Sequence, residues 1–202
     1  ADGTYSNCKI SVRDSAGNTS DNLTVSTFTI SGSKPVLAQV TAVPTPTNDN
    51  TSSYTFSSTK PGTISYGGSC SSDNTSISDN GSQLFFNTIT FNALADGTYS
   101  NCTIRVTDNE STASDNLTVS SFTIDTVKPA LAQVSGIGTT SDSTPSYTFS
   151  STESGTILSS GSCSSSNSNA STGNNTISFN QLADGTYSNC KIRVRDSAGN
   201  TS

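Results

Sequence analysis

The sequence predicts an all-β protein built as a tandem array of β-sandwich domains of about 90 residues each. Short runs such as Thr103–Val106 alternate apolar with polar residues, as half-buried strands do. Asn, Asp, Gly and Ser cluster between these runs as turn formers, and no stretch keeps a helical period. The array follows from an internal repeat, because "ADGTYSNC" at 1–8 returns at 95–102 and at 183–190.

Six strands are predicted in each repeat, and matching segments of successive repeats locate them. For example, "SSYTFSST" at 52–59 matches "PSYTFSST" at 145–152, and "DNLTVSTFTI" at 21–30 matches "DNLTVSSFTI" at 115–124. Runs of four to ten residues between turn signals are typical of sandwich strands. In chain order, the predicted strands of the middle repeat are Val36–Val43, Tyr54–Ser58, Thr63–Tyr66, Asn87–Phe91, Thr98–Thr107 and Leu117–Ile124.

The fifth strand is predicted to contain a β-bulge. Alternation places Cys102, Ile104 and Val106 on one face and Tyr99 on the opposite face. Tyr99 and Cys102 can both point inward only if an extra residue interrupts the alternation near Ser100-Asn101. The same reasoning predicts a bulge at Ser188-Asn189, between Tyr187 and Cys190.

Composition and charge argue against several partners. The net charge is −6 and the chain has no His, whereas nucleic acids and anionic membranes select basic patches. No apolar run approaches the roughly 18–20 residues of a membrane span, so no membrane insertion is expected. Residue 1 falls inside a repeat, so we expect further chain upstream, and any signal peptide would lie there.

The run from "LADGTYSNC" (94–102) through "RDSAGN" (13–18) to "FTIDTVKP" (122–129) resembles the bacterial immunoglobulin-like repeats of large surface adhesins and biofilm proteins. The resemblance covers the whole chain, with departures at "TDNEST" (107–112) and "SGSKP" (31–35). It implies secreted immunoglobulin-like sandwiches arranged as a rod or filament. The implied domains are 1–32 with the fifth and sixth strands only, 33–125 complete, and 126–202 without its last strand.

The five cysteines follow this frame. The third and fifth strands of the implied sandwich are neighbours in one sheet, which pairs Cys70 with Cys102 and Cys163 with Cys190. Cys8 is then left over, because its partner would lie upstream; the alternative is a reactive free thiol. A zinc site is not expected without His or a close Cys-x-x-Cys pair. Persistent disulfides indicate an extracellular location, and the resemblance implies the bacterial cell surface.

Acidic residues recur after the fifth strand, at Asp14, Asp108 and Asp196, and Asp125 lies in a linker. In arrays of the resembling kind such acids bind Ca²⁺ at domain junctions, whereas the alternative is that they form solvated turns. We assign no catalytic, cofactor-binding or metal-ligating residue. Without His or paired carboxylates for acid–base chemistry, no enzyme is expected.

The predicted function is structural, as a segment of an extracellular fibre or adhesin stalk whose partners are neighbouring repeats and a host or neighbouring cell surface. The linker from Ile124 to Pro129 is too short to act as a flexible coil. The incomplete repeats at both ends belong either to one long chain or to strand-exchanged copies. The alternative function is a glycan- or protein-binding module, using the variable loop 71–86 or Leu84-Phe85-Phe86, which alternation cannot bury completely.

Overall fold

The computed structural model describes residues 3–30 and 32–202, and all regular secondary structure in these residues is β-strand. The strands are two to six residues long, as expected for a chain punctuated by turn formers. In chain order they are β1 Gly3–Tyr5, β2 Lys9–Ile10, β3 Leu23–Thr24, β4 Phe28–Ile30, β5 Leu37–Thr41, β6 Ser53–Ser58, β7 Gly62–Gly67, β8 Ser76–Ile77, β9 Phe85–Thr90, β10 Gly97–Tyr99, β11 Thr103–Thr107, β12 Leu117–Thr118, β13 Phe122–Ile124, β14 Leu131–Ser135, β15 Ser146–Ser151, β16 Gly155–Ser160, β17 Asn169–Ala170, β18 Gly173–Ser178 and β19 Lys191–Arg195.

These strands form several small sheets. Two-stranded pairs are β1-β4, β2-β3 and β10-β13, and three-stranded sheets are β5-β6-β9, β14-β15-β18 and β17-β16-β19. A four-stranded sheet has the order β12-β11-β7-β8. The strand pairs of the two-stranded and four-stranded sheets are antiparallel, as are those of the sheets β14-β15-β18 and β17-β16-β19 and the pair β5-β6. The chain is therefore all-β, as the sequence predicts.

Successive repeats pair their strands in the same register. Leu37 lies opposite Ser58 and Gln39 opposite Phe56, with a register shift between Gln39 and Thr41. The next repeat has the same pairing, with the register shift between Gln133 and Ser135. Nearly identical local sequence thus gives the same pairing, including the irregularity, as expected when the apolar pattern sets register.

The described chain forms two compact units. One comprises the segment up to Ala42 with Tyr54–Ile89 and Asn101–Val119; the other comprises Val43–Ser53, Thr90–Ser100 and Ser120–Ser202. The division falls inside the middle repeat, so the boundaries at 32 and 125 stay predictions.

Each unit buries its own aromatic and branched residues. In the first unit, Tyr54, Phe56, Ile104 and Val106 are essentially inaccessible to solvent. In the second, Phe149, Ile157, Ile177, Phe179 and Val194 belong to one apolar cluster that also contains Cys163. No helix of the described residues is long and apolar enough to cross a membrane.

The predicted fifth strand is two strands in separate sheets, and not one strand with a bulge. β10 pairs with β13, β11 pairs with β7 and β12, and residues 100–102 between them are not in a strand. Tyr99 is half-buried and Cys102 is fully buried, and both residues between them, Ser100 and Asn101, are exposed, so strict alternation is interrupted. The predicted break in alternation is correct, but its form is a change of sheet.

The prediction at Ser188-Asn189 is wrong for Tyr187, which is 37% exposed and lies outside any strand. In the middle repeat Tyr99 stacks on Phe122 of β13, with 5.4 Å between ring centroids. No described aromatic residue stacks on Tyr187 in that way. No strand was predicted at β8, which lies in the variable loop 71–86 and pairs with β7, or at β17, which lies in the corresponding segment of the last repeat and pairs with β16.

Candidate functional site

Asp14, Asp108 and Asp196 each follow the fifth strand of their own repeat. In each repeat the carboxylate accepts hydrogen bonds from the backbone of a tight turn of the same kind. Asp14 Oδ1 accepts from the backbone N–H groups of Ala16 and Asn18 at 2.9 and 2.8 Å. Asp196 Oδ1 accepts from the backbone N–H groups of Gly199 and Asn200 at 2.7 and 2.9 Å. Bonds to the ionised carboxylate favour the charged form, and the Asn18 side chain in particular lowers the pKa of Asp14. Of the two roles considered for these acids, Ca²⁺ binding and turn formation, the hydrogen bonds show that all three form turns.

Asp108 makes the same turn, with Oδ1 accepting from the N–H groups of Glu110 and Thr112 at 3.1 and 2.8 Å. Its turn has Ser111 in the left-handed region, at φ 65°, where the other copies have Gly17 and Gly199 at φ 96° and 102°. The departure "TDNEST" keeps the turn but places a side chain in a conformation that glycine adopts without a steric cost.

Asp108 is buried and forms an ion pair with the side chain of Lys60. Lys60 Nζ lies 3.0 Å from Asp108 Oδ2, and the two side chains are 17% and 2% exposed. Burial alone would raise the pKa of Asp108, but the hydrogen bond and charge of Lys60, with the turn N–H groups, hold it below its usual value. The carboxylate is therefore stabilised in its ionised form.

In the last repeat Glu153 replaces this lysine, since "STESGT" at 151–156 corresponds to "STKPGT" at 58–63. Carboxylate oxygens of Glu153, Asp125 and Asp196 all lie within 4.8 Å of one another, and all three residues are half-buried. Burial and the negative charges of Asp125 and Asp196 raise the pKa of Glu153. Protonated Glu153 can donate a hydrogen bond to Asp196, which raises its pKa further.

This acidic cluster, Asp125, Glu153 and Asp196, contains two of the four acids that the sequence analysis singled out, Asp125 and Asp196. Three converging carboxylates repel one another, and either a proton on Glu153 or a bound cation would relieve the repulsion. Ca²⁺ takes six to eight oxygen ligands, so the cluster offers about half a coordination shell if each carboxylate contributes one oxygen. Asp14 and Asp108 lie in no such cluster among the described residues.

The linker residues Asp125 and Thr126, beside the acidic cluster, are held by hydrogen bonds to three separate segments of the second compact unit. Asp125 N–H donates to Thr47 O at 3.0 Å, and Asn200 Nδ2 donates to Asp125 O at 2.8 Å. Thr126 donates both its N–H and its hydroxyl to Asp96 Oδ1, at 3.0 and 2.9 Å. Asn200, only 5% exposed, also bonds Asp196 Oδ2, so a single side chain joins the turn to the linker.

The cysteines lie just outside the strand ends. Disulfides join Cys70 to Cys102 and Cys163 to Cys190, with Cα–Cα distances of 5.3 and 5.2 Å in the usual range. Each links the end of one strand (β7 or β16) to the start of its sheet neighbour (β11 or β19). Cys8 is a half-buried free cysteine.

The apolar run at 84–86 is divided by alternation on the first part of β9. Phe85 is 4% exposed, whereas Leu84 and Phe86 are 44% and 66% exposed. The run therefore leaves two apolar side chains in solvent.

Sequence analysis missed Lys60 and Glu153. The signal was present as a reversal of charge between two otherwise matching segments, but the acids that they face after the fifth strand, Asp108 and Asp196, lie more than forty residues away in the sequence. Only the tertiary fold shows that contact.

Comparison with protein-family models, curated proteins and solved structures gives no match for this chain.

Proposed function

We propose that the chain is a structural segment of an extracellular bacterial fibre or adhesin stalk, built from disulfide-stapled immunoglobulin-like repeats. The observation that carries the proposal is the joint around Asp125. A linker hydrogen-bonded to Thr47 on one side and to Asn200 on the other supports a stiff connection between successive repeats. A stalk needs such joints, because a flexible connection would lose extension with every repeat.

One further feature supports the repetition of the domains, and another supports their immunoglobulin-like character. The disulfides cross-link neighbouring strands at matching places in two repeats. The hydroxyls of Tyr99 and Tyr187 donate to Ala95 O and Ala183 O, each at 2.8 Å. A tyrosine near the cysteine of this strand that bonds back to the upstream backbone is a hallmark of immunoglobulin domains.

A surface of Ser and Thr side chains suits a spacer better than a binding module. Hydroxyls pair across the exposed strands, as between Thr55 and Thr88 at 2.8 Å and between Thr148 and Thr176 at 2.9 Å. Binding sites are usually anchored by Trp, Tyr or Arg, whereas the exposed run at 84–86 offers only Leu84 and Phe86. The carboxylates of Asp14, Asp108 and Asp196 accept hydrogen bonds from the backbone of their turns, which supports a structural role for these acids.

The experiment is small-angle scattering on chains that carry two, three and four repeats in tandem. We expect the maximum dimension to grow by a constant increment per repeat, and Asn200→Ala at the joints to reduce that increment. Growth near the square root of repeat number would contradict the stalk. Antibodies against the chain should label the outside of intact source cells, and labelling only after permeabilisation would contradict the extracellular location.

A further inference from the structure

The loop 78–84, between β8 and β9, contains the pair Asn80-Gly81. Every residue of this loop is exposed and lies outside any strand. The backbone nitrogen that follows an asparagine can attack the side-chain amide carbon and close a cyclic imide. Glycine favours this reaction, because it has no side chain to shield its nitrogen. Asn80 is the only asparagine of the chain that precedes a glycine.

Gly81 leaves room for the ring to close. Its backbone is in the left-handed region, at φ 75°, and a Cβ at this position would meet no atom within 4 Å. No neighbouring segment therefore packs against this side of the loop. The backbone around Gly81 can change conformation as the ring forms without displacing another residue.

A carboxylate is placed at the proton that the reaction must remove. Asp79 Oδ1 accepts a hydrogen bond from the N–H of Gly81 at 2.9 Å. A nitrogen that attacks a carbonyl carbon has to lose its proton, and a carboxylate within hydrogen-bond reach of that proton is placed as a general base. Asp79 thus activates the nucleophile.

The other end of the reaction has a hydrogen-bond donor. The N–H of Ser82 donates to Asn80 Oδ1 at 3.1 Å. When the nitrogen attacks the amide carbon, negative charge develops on this oxygen. A backbone N–H that already points at the oxygen stabilises that charge, as the donors of an oxyanion hole do.

A second turn of the chain isolates the contribution of glycine. Asp49 Oδ1 accepts from the N–H of Thr51 at 2.9 Å, so Asn50 has a carboxylate placed in the same way. There, however, the attacking nitrogen belongs to a β-branched residue, whose side chain is stiff and crowds the backbone. The segment 164–175, which corresponds to the variable loop in the last repeat, contains no Asn-Gly pair.

We propose that Asn80 is a self-modification site, at which the chain converts its own amide to a carboxylate through a cyclic imide. The nitrogen of Gly81 bonds to Cγ of Asn80, and its proton passes to Asp79. The bond from Cγ to the amide nitrogen breaks, and ammonia leaves with that proton. One water then opens the imide at either carbonyl, which gives aspartate or β-linked isoaspartate. Water is the only co-reactant.

The products change the variable loop irreversibly. Each adds one negative charge to a chain whose net charge is −6, and isoaspartate also adds a backbone atom to the connection between β8 and β9. The modified fraction therefore records the age of the chain. The inference goes beyond the proposed function and does not depend on it, because neither repeats nor an extracellular location enters the chemistry.

The test follows the purified 202-residue chain over time in neutral buffer, by peptide mass spectrometry with fragmentation that distinguishes aspartate from isoaspartate. We expect both products at Asn80, with isoaspartate as the mark of the imide, and no comparable change at Asn50. Folded chain should react faster than chain unfolded in guanidinium chloride with its disulfides intact, because folding holds the base and the donor in place.

Asp79→Asn keeps the acceptor oxygen but supplies no base, so the rate at Asn80 should fall about tenfold. Asp49→Asn is the matched control, because it removes the equivalent carboxylate beside Asn50, and it should leave the rate at Asn80 unchanged. Gly81→Ala should abolish the preference for Asn80 over Asn50. All three positions are exposed, and circular dichroism should show that each variant folds as the wild type does.

An unmodified Asn80 after prolonged incubation would overturn the proposal, as would aspartate without isoaspartate, because direct hydrolysis would then be the route. A rate that is lower in the folded chain than in the unfolded chain would show that the fold protects the site. An undiminished rate in Asp79→Asn would remove the assigned base. Joint stiffness and cell-surface labelling are unaffected by any of these results, so the proposed function can fail separately.

Discussion

Lys60, which is partly buried, forms an ion pair with the buried Asp108, with 3.0 Å between Nζ and Oδ2. At the equivalent positions of the next repeat, Glu153 faces Asp196 and Asp125 also converges on them. The residue at this position therefore stabilises the ionised acid in the middle repeat, where it is Lys60. In the last repeat, where it is Glu153, it adds a third negative charge that repels Asp125 and Asp196. The two repeats should therefore respond to pH in opposite directions.

Replacing Lys60 with Met should destabilise the protein by about 3 kcal/mol near neutral pH, because Asp108 would remain buried without its counter-charge. The pKa of folded Asp108 is lowered, so its stabilisation is present above its ordinary value of 3.8 and is lost as pH falls below it. Denaturant unfolding from pH 7 to pH 3 should show the difference between wild type and variant shrinking.

Lys34→Met is the matched control, because its partner Asp115 is 84% exposed. This variant should cost at most about 1 kcal/mol. Equal losses for both variants would show that burial of the Lys60 pair has no energetic weight.

Replacing Glu153 with Gln should stabilise the protein at pH 7, by up to about 1 kcal/mol, because it removes one of three converging charges. The pKa of folded Glu153 is raised above its ordinary value of 4.5. The folded state therefore binds this proton more tightly than the unfolded state does, and stability falls as pH rises through and above that value. Thermal unfolding should show the gain at pH 7 disappearing towards pH 4; a gain independent of pH would contradict the electrostatic origin.

Removing a disulfide with Cys70→Ser and Cys102→Ser together should lower the free energy of unfolding by about 3–4 kcal/mol. The bond closes a loop with a sequence separation of 32, and its loss restores that loop's entropy to the unfolded chain. Cys8→Ser should leave stability nearly unchanged, since Cys8 forms no disulfide in the structure. A small effect of the double variant would mean that the unfolded chain stays compact without the bond.

Replacing Ser111 with Gly should stabilise the turn after β11 by up to about 1 kcal/mol, because a side chain at φ 65° has a steric cost that glycine lacks. The reciprocal Gly199→Ser should destabilise the equivalent turn by a similar amount. A Cβ at Gly199 meets no atom closer than 3.4 Å, so this effect would come from backbone conformation. Unfolding midpoints that move in the same direction for both variants would contradict this account.

The sequence by itself determined the features that depend on residues close to one another along the chain. Alternation and turn residues predicted the all-β class, and the matching segments of the repeat located strands such as β6 and β15, which have the same sequence and the same pairing. The spacing of Tyr99 and Cys102 predicted a break in alternation, because side-chain direction along a strand is fixed by the backbone.

Only the tertiary structure decided which distant residues meet. The break became a change of sheet, because β10 and β11 find different partners. The acidic cluster joins side chains from three separate segments, and charges so far apart in sequence carry no local signal of contact. Tyr187 repeats the local sequence of Tyr99 but is 37% exposed, whereas Tyr99 stacks on Phe122, which lies 23 residues further along the chain.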